Sequence, residues 1–172
     1  MGAFEKAAGV ALMGFDVDGV LTDGLLWYGS GGDELKAFSS LDGHGLKMLQ
    51  RAGVDVAIIS GRSSDALRLR AANLGVGALH MGVEDKRAVM AMLAQARGFG
   101  LDRCGYVGDD VVDLPVLRAC GFSATVADGH EEVKARVDYV AGRGGGRGAV
   151  REISELILKA QGKWAAAMAE YL

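Results

Sequence analysis

Short apolar runs alternate along this chain with longer stretches of helical period, the pattern of a parallel α/β sheet. The apolar runs predict strands over Ala11–Asp16, Val54–Ser60, Ala78–Met81, Arg103–Val107, Phe122–Val126 and the short Tyr139–Val140. The stretches between them predict helices over His44–Ala52, Ser63–Leu74, Lys86–Arg97, Leu114–Ala119, Glu131–Val137 and Ala149–Lys159. Ser63-Ser64-Asp65 offers N-capping side chains. The single proline, Pro115, falls in a first helical turn, where its missing N–H costs nothing.

The pattern changes between Thr22 and Phe38. Leu25-Leu26-Trp27-Tyr28 and Glu34-Leu35-Lys36-Ala37-Phe38 flank Gly29-Ser30-Gly31-Gly32-Asp33, which predicts a β-hairpin over residues 25–38 with a glycine-rich turn. An isolated hairpin is marginal in water, so its expected stabiliser is the hairpin of another subunit. Near the other end, Ala141–Gly148 reads as too glycine-rich to be rigid, with two arginines on it. Gly162–Leu172 predicts a short amphipathic helix with Trp164, Met168 and Tyr171 on one side. The expected organisation is one domain over residues 1–160, with a tail at 161–172.

Length and composition narrow the class. The chain has 172 residues, half of them hydrophobic, enough for a substantial core. A net charge of -3 carries no basic footprint for nucleic acid. No run approaches the roughly 18 apolar residues of a membrane span, and no secretory signal is evident at the N-terminus. A cytoplasmic protein is the expectation, with Cys104 and Cys120 as buried free thiols.

Four polar clusters stand at the C-terminal ends of predicted strands, where open α/β sheets bind ligands. Asp16-Val17-Asp18-Gly19 follows the first strand, and its two carboxylates suit a divalent cation with a nucleophile beside an acid/base. A calcium loop shares this start, but no glutamate stands at its closing position. Ser60-Gly61-Arg62 follows Val56–Ile59, Lys86 opens a helix after Ala78–Met81, and Gly108-Asp109-Asp110-Val111-Val112-Asp113 follows Gly105–Val107. Each alone has an ordinary reading as a turn, cap or solvated side chain. Four in this order, each at a strand end, are a much more specific signal than any one of them.

Phe15–Thr22, Ser60, Lys86 and Gly108–Asp113 together resemble the motif set of the haloacid dehalogenase superfamily, and specifically its Mg²⁺-dependent phosphatases. The resemblance spans nearly the whole chain. It implies a Rossmann-like three-layer fold around a five-stranded parallel sheet, with the first strand in the middle. It implies Asp16 as nucleophile, Asp18 as general acid/base, and Ser60 and Lys86 as phosphoryl ligands. Mg²⁺ would be held by Asp16, the backbone carbonyl of Asp18, and Asp109, with Asp110 and Asp113 orienting Lys86 or metal-bound water. The distances in sequence from Asp18 to Ser60 and from Ser60 to Lys86 leave no room for a cap domain.

Within the capless members, Asp16–Gly24, Glu34–Phe38, Asp42-Gly43, Ile59–Arg62, Gly108–Val116 and Gly144–Glu152 are similar to enzymes acting on phosphorylated sugar acids. That similarity implies hydrolysis of 3-deoxy-D-manno-octulosonate 8-phosphate in lipopolysaccharide precursor synthesis, by a homotetramer joined through its hairpins. It implies a substrate site of Ser60, Gly61, Lys86 and the arginines Arg62 and Arg147. Leu41 departs from the arginine often found before Asp42-Gly43, and Val83-Glu84-Asp85 is more acidic than usual. The alternatives are a nine-carbon sugar acid 9-phosphate or another phosphosugar. From other classes, the rivals are a phosphoacceptor receiver and a non-catalytic oligomerisation module.

Overall fold

The computed structural model describes residues 2–172. Six strands form one sheet in the order β5-β4-β1-β6-β7-β8: β1 (Leu12–Phe15), β4 (Asp55–Ile59), β5 (Ala78–His80), β6 (Cys104–Val107), β7 (Phe122–Thr125) and β8 (Tyr139–Val140). Every neighbouring pair in it is parallel. The sheet has one strand more than the resemblance implies, because the two-residue β8 pairs onto the edge of β7. Without β8, the first strand would be the middle of five.

Alternation along the strands divides the interior into two layers. Met13, Phe15, Val56, Ile58 and Val107 face one core, with side chains from α2 (Ser40–Arg51), α3 (Asp65–Leu74) and α7 (Ala149–Ala160). Leu12, Ala57, Ile59, Cys104 and Tyr106 face the other, with α4 (Lys86–Gln95), α5 (Leu114–Leu117) and α6 (Glu131–Lys134). Gly14 is required on that second face: a Cβ there would lie 2.7 Å from both Met90 Sδ and a Tyr106 ring carbon.

Ser64 and Asp85 cap α3 and α4 with their side chains. α2 starts at Ser40, earlier than the predicted His44, because Ser39 accepts the Asp42 N–H and the helix then runs through Gly43 and Gly45. Gly45 lets α7 approach, since a Cβ would sit 3.0 Å from Arg151 Cα. A six-residue helix, α1 (Ala3–Ala8), precedes the first strand and carries no strong sequence signal. After α7 a second short helix, α8 (Trp164–Ala169), ends the chain.

The hairpin is two antiparallel two-residue strands, β2 (Trp27–Tyr28) and β3 (Glu34–Leu35). Leu25, Leu26, Trp27, Tyr28 and Leu35 are all exposed on the single chain.

The glycine-rich segment corrects one expectation. It is docked by specific hydrogen bonds rather than loose. Gly145 N–H donates to Asp128 Oδ1 (2.9 Å) and Gly146 N–H to the Val20 carbonyl (2.9 Å). The buried Asp42 carboxylate accepts from Gly148 N–H (3.2 Å) and Arg151 N–H (2.9 Å), so a side chain of α2 caps α7. A Cβ on Gly145 would lie 1.9 Å from the Gly19 carbonyl oxygen. These glycines serve close backbone approach, which composition alone does not distinguish from flexibility.

Candidate active site

The site is built at the C-terminal ends of β1, β4 and β6 and the start of α4. Asp16 follows β1 directly, its N–H held by the Val107 carbonyl at 2.9 Å. The chain then turns tightly, with the Leu21 and Thr22 N–H groups both donating to the Val17 carbonyl. Thr22 Oγ1 accepts from Gly19 N–H (3.3 Å) and Gly24 N–H (3.2 Å), fixing the turn from inside. Gly19 has a φ of +90°, and a Cβ there would lie 2.1 Å from Asp109 Oδ2. Only glycine lets the Asp109 carboxylate pack against this turn.

Lys86 is buried at the first position of α4. Its Nζ lies 2.8 Å from Asp16 Oδ1 and 2.7 Å from Asp113 Oδ1. Asp113 is fully buried, and its second oxygen accepts from Asp109 N–H (3.2 Å) and Asp110 N–H (3.4 Å). Asp113 therefore orients both Lys86 and the loop after β6. Asp110 does not take the orienting position that the resemblance implies for it. It is exposed, and its carboxylate caps the next turn by accepting Val111 N–H at 2.7 Å.

Asp16, Asp109 and Asp113 each bring a carboxylate oxygen within 4.8 Å of the others. Burial, then the Asp113 charge, pushes Asp16 up to about 7. Burial, then the charges of Asp16, Asp113 and Asp110, pushes Asp109 up to about 7. Lys86 moves upward despite its burial, because Asp16 and Asp113 favour its charged form. Three carboxylates against one ammonium leave an excess of negative charge, and oxygen donors so arranged fit a hard divalent cation.

Ser60 lies at the end of β4, 2% exposed, and its Oγ accepts the Arg62 N–H at 3.1 Å. Gly61 is exposed beside it, and a Cβ there would meet nothing nearer than the Val83 carbonyl oxygen at 3.6 Å. The Arg62 side chain turns to the hairpin: Nη2 donates to Tyr28 OH at 2.6 Å and to Glu34 Oε2 at 3.0 Å. Arg147 is exposed and lines a cleft of about 300 Å³ with Asp23, Phe38, Ser40, Leu41 and Gly146.

Sequence reasoning missed what holds Asp18. Its Oδ1 is ion-paired to Lys36 Nζ, and Lys36 Nζ also lies 2.6 Å from Glu34 Oε1. The usable signal was the alternation Glu34-x-Lys36, which puts both side chains on one face of the hairpin strand.

This sheet order, the tight turn after β1, the lysine at the head of α4 and the acidic loop after β6 define a phosphoryl-transfer hydrolase without a cap. The chain belongs to the haloacid dehalogenase-like hydrolases, whose family signature matches residues 80–151. Its relatives include 3-deoxy-D-manno-octulosonate 8-phosphate phosphatase of Escherichia coli K12, 43% identical over 92% of this chain and 84% of that protein. The crystal structure of the Moraxella catarrhalis phosphatase of the same name, in complex with magnesium, phosphate and KDO, superposes with a TM-score of 0.96. It is 42% identical and the match covers 99% of this chain and 98% of that one. The cobalt-bound deoxy-D-mannose-octulosonate 8-phosphate phosphatase of Haemophilus influenzae superposes with a TM-score of 0.90 at 43% identity, covering 95% and 99%.

Proposed function

We propose that this chain is a phosphomonoesterase that hydrolyses 3-deoxy-D-manno-octulosonate 8-phosphate to the free sugar acid and phosphate, through an aspartyl phosphate on Asp16. The observation that carries the reading is the Asp16–Lys86–Asp113 chain of contacts at the tip of β1, with Asp18 one residue beyond in the same turn. The named relatives, alike over nearly their full length, support the substrate.

An Asp16 carboxylate oxygen attacks phosphorus, and the bond to the sugar oxygen breaks. Asp18 donates its proton to that leaving oxygen. Water then attacks the phosphorus of the aspartyl phosphate, Asp18 takes its proton, and phosphate leaves with Asp16 restored. Ser60 Oγ and Lys86 hold phosphoryl oxygens, and Lys86 offsets charge that would repel the anionic ester. Asp16, Asp109 and the Asp18 carbonyl would hold Mg²⁺, which when bound neutralises the carboxylates and the phosphoryl oxygens. Arg147, at the open rim, is suited to a substrate carboxylate, and Arg62 becomes available if its hairpin contacts open.

The exposed Leu25, Leu26, Trp27, Tyr28 and Leu35 support association of hairpins between copies, as a homotetramer. Residues 1–160 act as the phosphatase domain, with 161–172 as a tail. Among the described residues no helix is long and apolar enough to cross a membrane; with two free cysteines, a cytoplasmic setting fits.

Steady-state kinetics with Mg²⁺ against eight- and nine-carbon sugar acid phosphates and simple phosphosugars tests the reading. The octulosonate ester should be among the best substrates, and Asp16→Asn should reduce turnover to background. Retained phosphatase activity in that variant would disprove the mechanism. A distinctly better nine-carbon ester would move the substrate and leave the chemistry.

A further inference from the structure

The acid/base carboxylate of this site is not held by the strand that delivers it. Asp18 sits beyond the end of β1 on a turn, where its side chain could swing between rotamers. What fixes it comes from the hairpin. Lys36 Nζ pairs with Asp18 Oδ1 and lies 2.6 Å from Glu34 Oε1, and the Lys36 side chain is only 1% exposed. Arg62 closes the cluster from β4. It donates to Glu34 Oε2 and to Tyr28 OH, while its Nε stays 3.8 Å from Asp18 Oδ2, beyond hydrogen-bond reach. One Asp18 oxygen is therefore committed to Lys36, and the other accepts no hydrogen bond among the described residues and only faces the Arg62 guanidinium across 3.8 Å.

We infer that Lys36 is a positioning residue for catalysis: it ties Asp18 Oδ1 to the hairpin so that Oδ2 is the oxygen that gives and takes the proton. Glu34 and Arg62 complete the tether by holding Lys36 in place. The inference deepens the proposed function and rests on Asp18 being its acid/base. A purely stabilising role explains the cluster poorly. Burying an ammonium between two carboxylates carries a desolvation cost that the attraction often only offsets. Two-residue strands also gain little from one such contact. The arrangement makes sense if it buys orientation.

Leaving-group dependence separates orientation from stability. A poor leaving group needs the proton from Asp18, whereas 4-nitrophenolate leaves without it. The assay is kcat/KM, which reports phosphoryl transfer to Asp16, over esters graded in leaving-group acidity. The series runs from 4-nitrophenyl phosphate through phenyl phosphate to the octulosonate ester, for the wild type, Asp18→Asn, Lys36→Met and Lys36→Arg. General acid catalysis contributes about 10²–10⁴-fold, so Lys36→Met should lose roughly 10- to 100-fold on the sugar ester and under about 3-fold on 4-nitrophenyl phosphate. Lys36→Arg, which keeps the charge, should recover part of the loss.

An equal loss on all esters, or none, overturns the inference while Asp18→Asn still steepens the dependence. If Asp18→Asn does not steepen it, the acid/base assignment falls and the inference with it. If the wild type hydrolyses none of these esters, the proposed function itself fails. Should Lys36→Met fail to melt cooperatively, Lys36→Met/Glu34→Gln relieves the facing carboxylates, and the same contrast is read from that variant.

Discussion

Replacing Asp109 with asparagine should stabilise the metal-free protein and abolish its response to Mg²⁺. The Asp109 carboxylate rises from 3.8 to about 7, first through burial and then through the charges of Asp16, Asp113 and Asp110. One pKa unit corresponds to about 1.4 kcal/mol, so ionising Asp109 at pH 8 costs roughly 4 kcal/mol in the fold. Partial solvent access screens the charge, and halving the figure leaves ~2 kcal/mol. Asparagine keeps the shape that packs against Gly19 and removes the charge. For a chain of this size ~2 kcal/mol should raise Tm by about 4–8 °C. The assay is thermal melting at pH 8 in EDTA and in millimolar MgCl₂. Wild type should melt lower in EDTA and rise with Mg²⁺, while Asp109→Asn should start higher and not move. A variant that melts below wild type in EDTA, or that still rises with Mg²⁺, would refute this account of the acidic cluster.

The same charges set a pH dependence for the metal-free fold. Asp16 and Asp109 are both raised above 3.8, to about 7, so the folded state holds more protons between those values and stability falls as pH rises through that window. Melts in EDTA from pH 5 to 8 should show Tm declining, and a rise would contradict it. Gly145→Ala places a Cβ 1.9 Å from the Gly19 carbonyl oxygen, and overpacking of this kind costs about 1–3 kcal/mol. Its melting point should drop and its KM rise more than its kcat falls. Trp27→Asp with Leu35→Asp, a directly opposed cross-strand pair, charges one face of the exposed hairpin; light scattering should show a smaller assembly than wild type, and an unchanged mass would remove that face from the interface.

The chemistry of this site was largely legible from the chain because three elements deliver it directly from strand ends. Asp16, Ser60 and Asp109 each follow an apolar run, and parallel strands bring such positions to one edge without further information. Lys86 was legible as the head of a helix that starts there. The restraint on Asp18 was not, because Lys36 reaches it only when the hairpin folds back toward the turn after β1, a contact between positions 18 residues apart with no local signature. The same contacts engage Arg62, which the family resemblance assigns to the substrate. Asp110 misled because a carboxylate next to a site loop reads alike whether it faces the site or caps the following turn. The sequence starts α2 too late, at His44, because Gly43 looks like a break, when it is the contact that admits Arg70.

The seam between the turn after β1 and the segment at Gly145 has a consequence for how this enzyme can diverge. There two main chains meet with no side chain between them: Gly145 against the Gly19 carbonyl, and Gly146 against Thr22. A wall made of backbone offers mutation almost nothing to adjust, so drift should be halted there. The side chains on its two margins, Leu41 and Arg143, are exposed and free to vary. A saturation library should show this as two zones a few residues apart, one intolerant and one permissive. Selection for a new ester should collect its winners from the permissive zone.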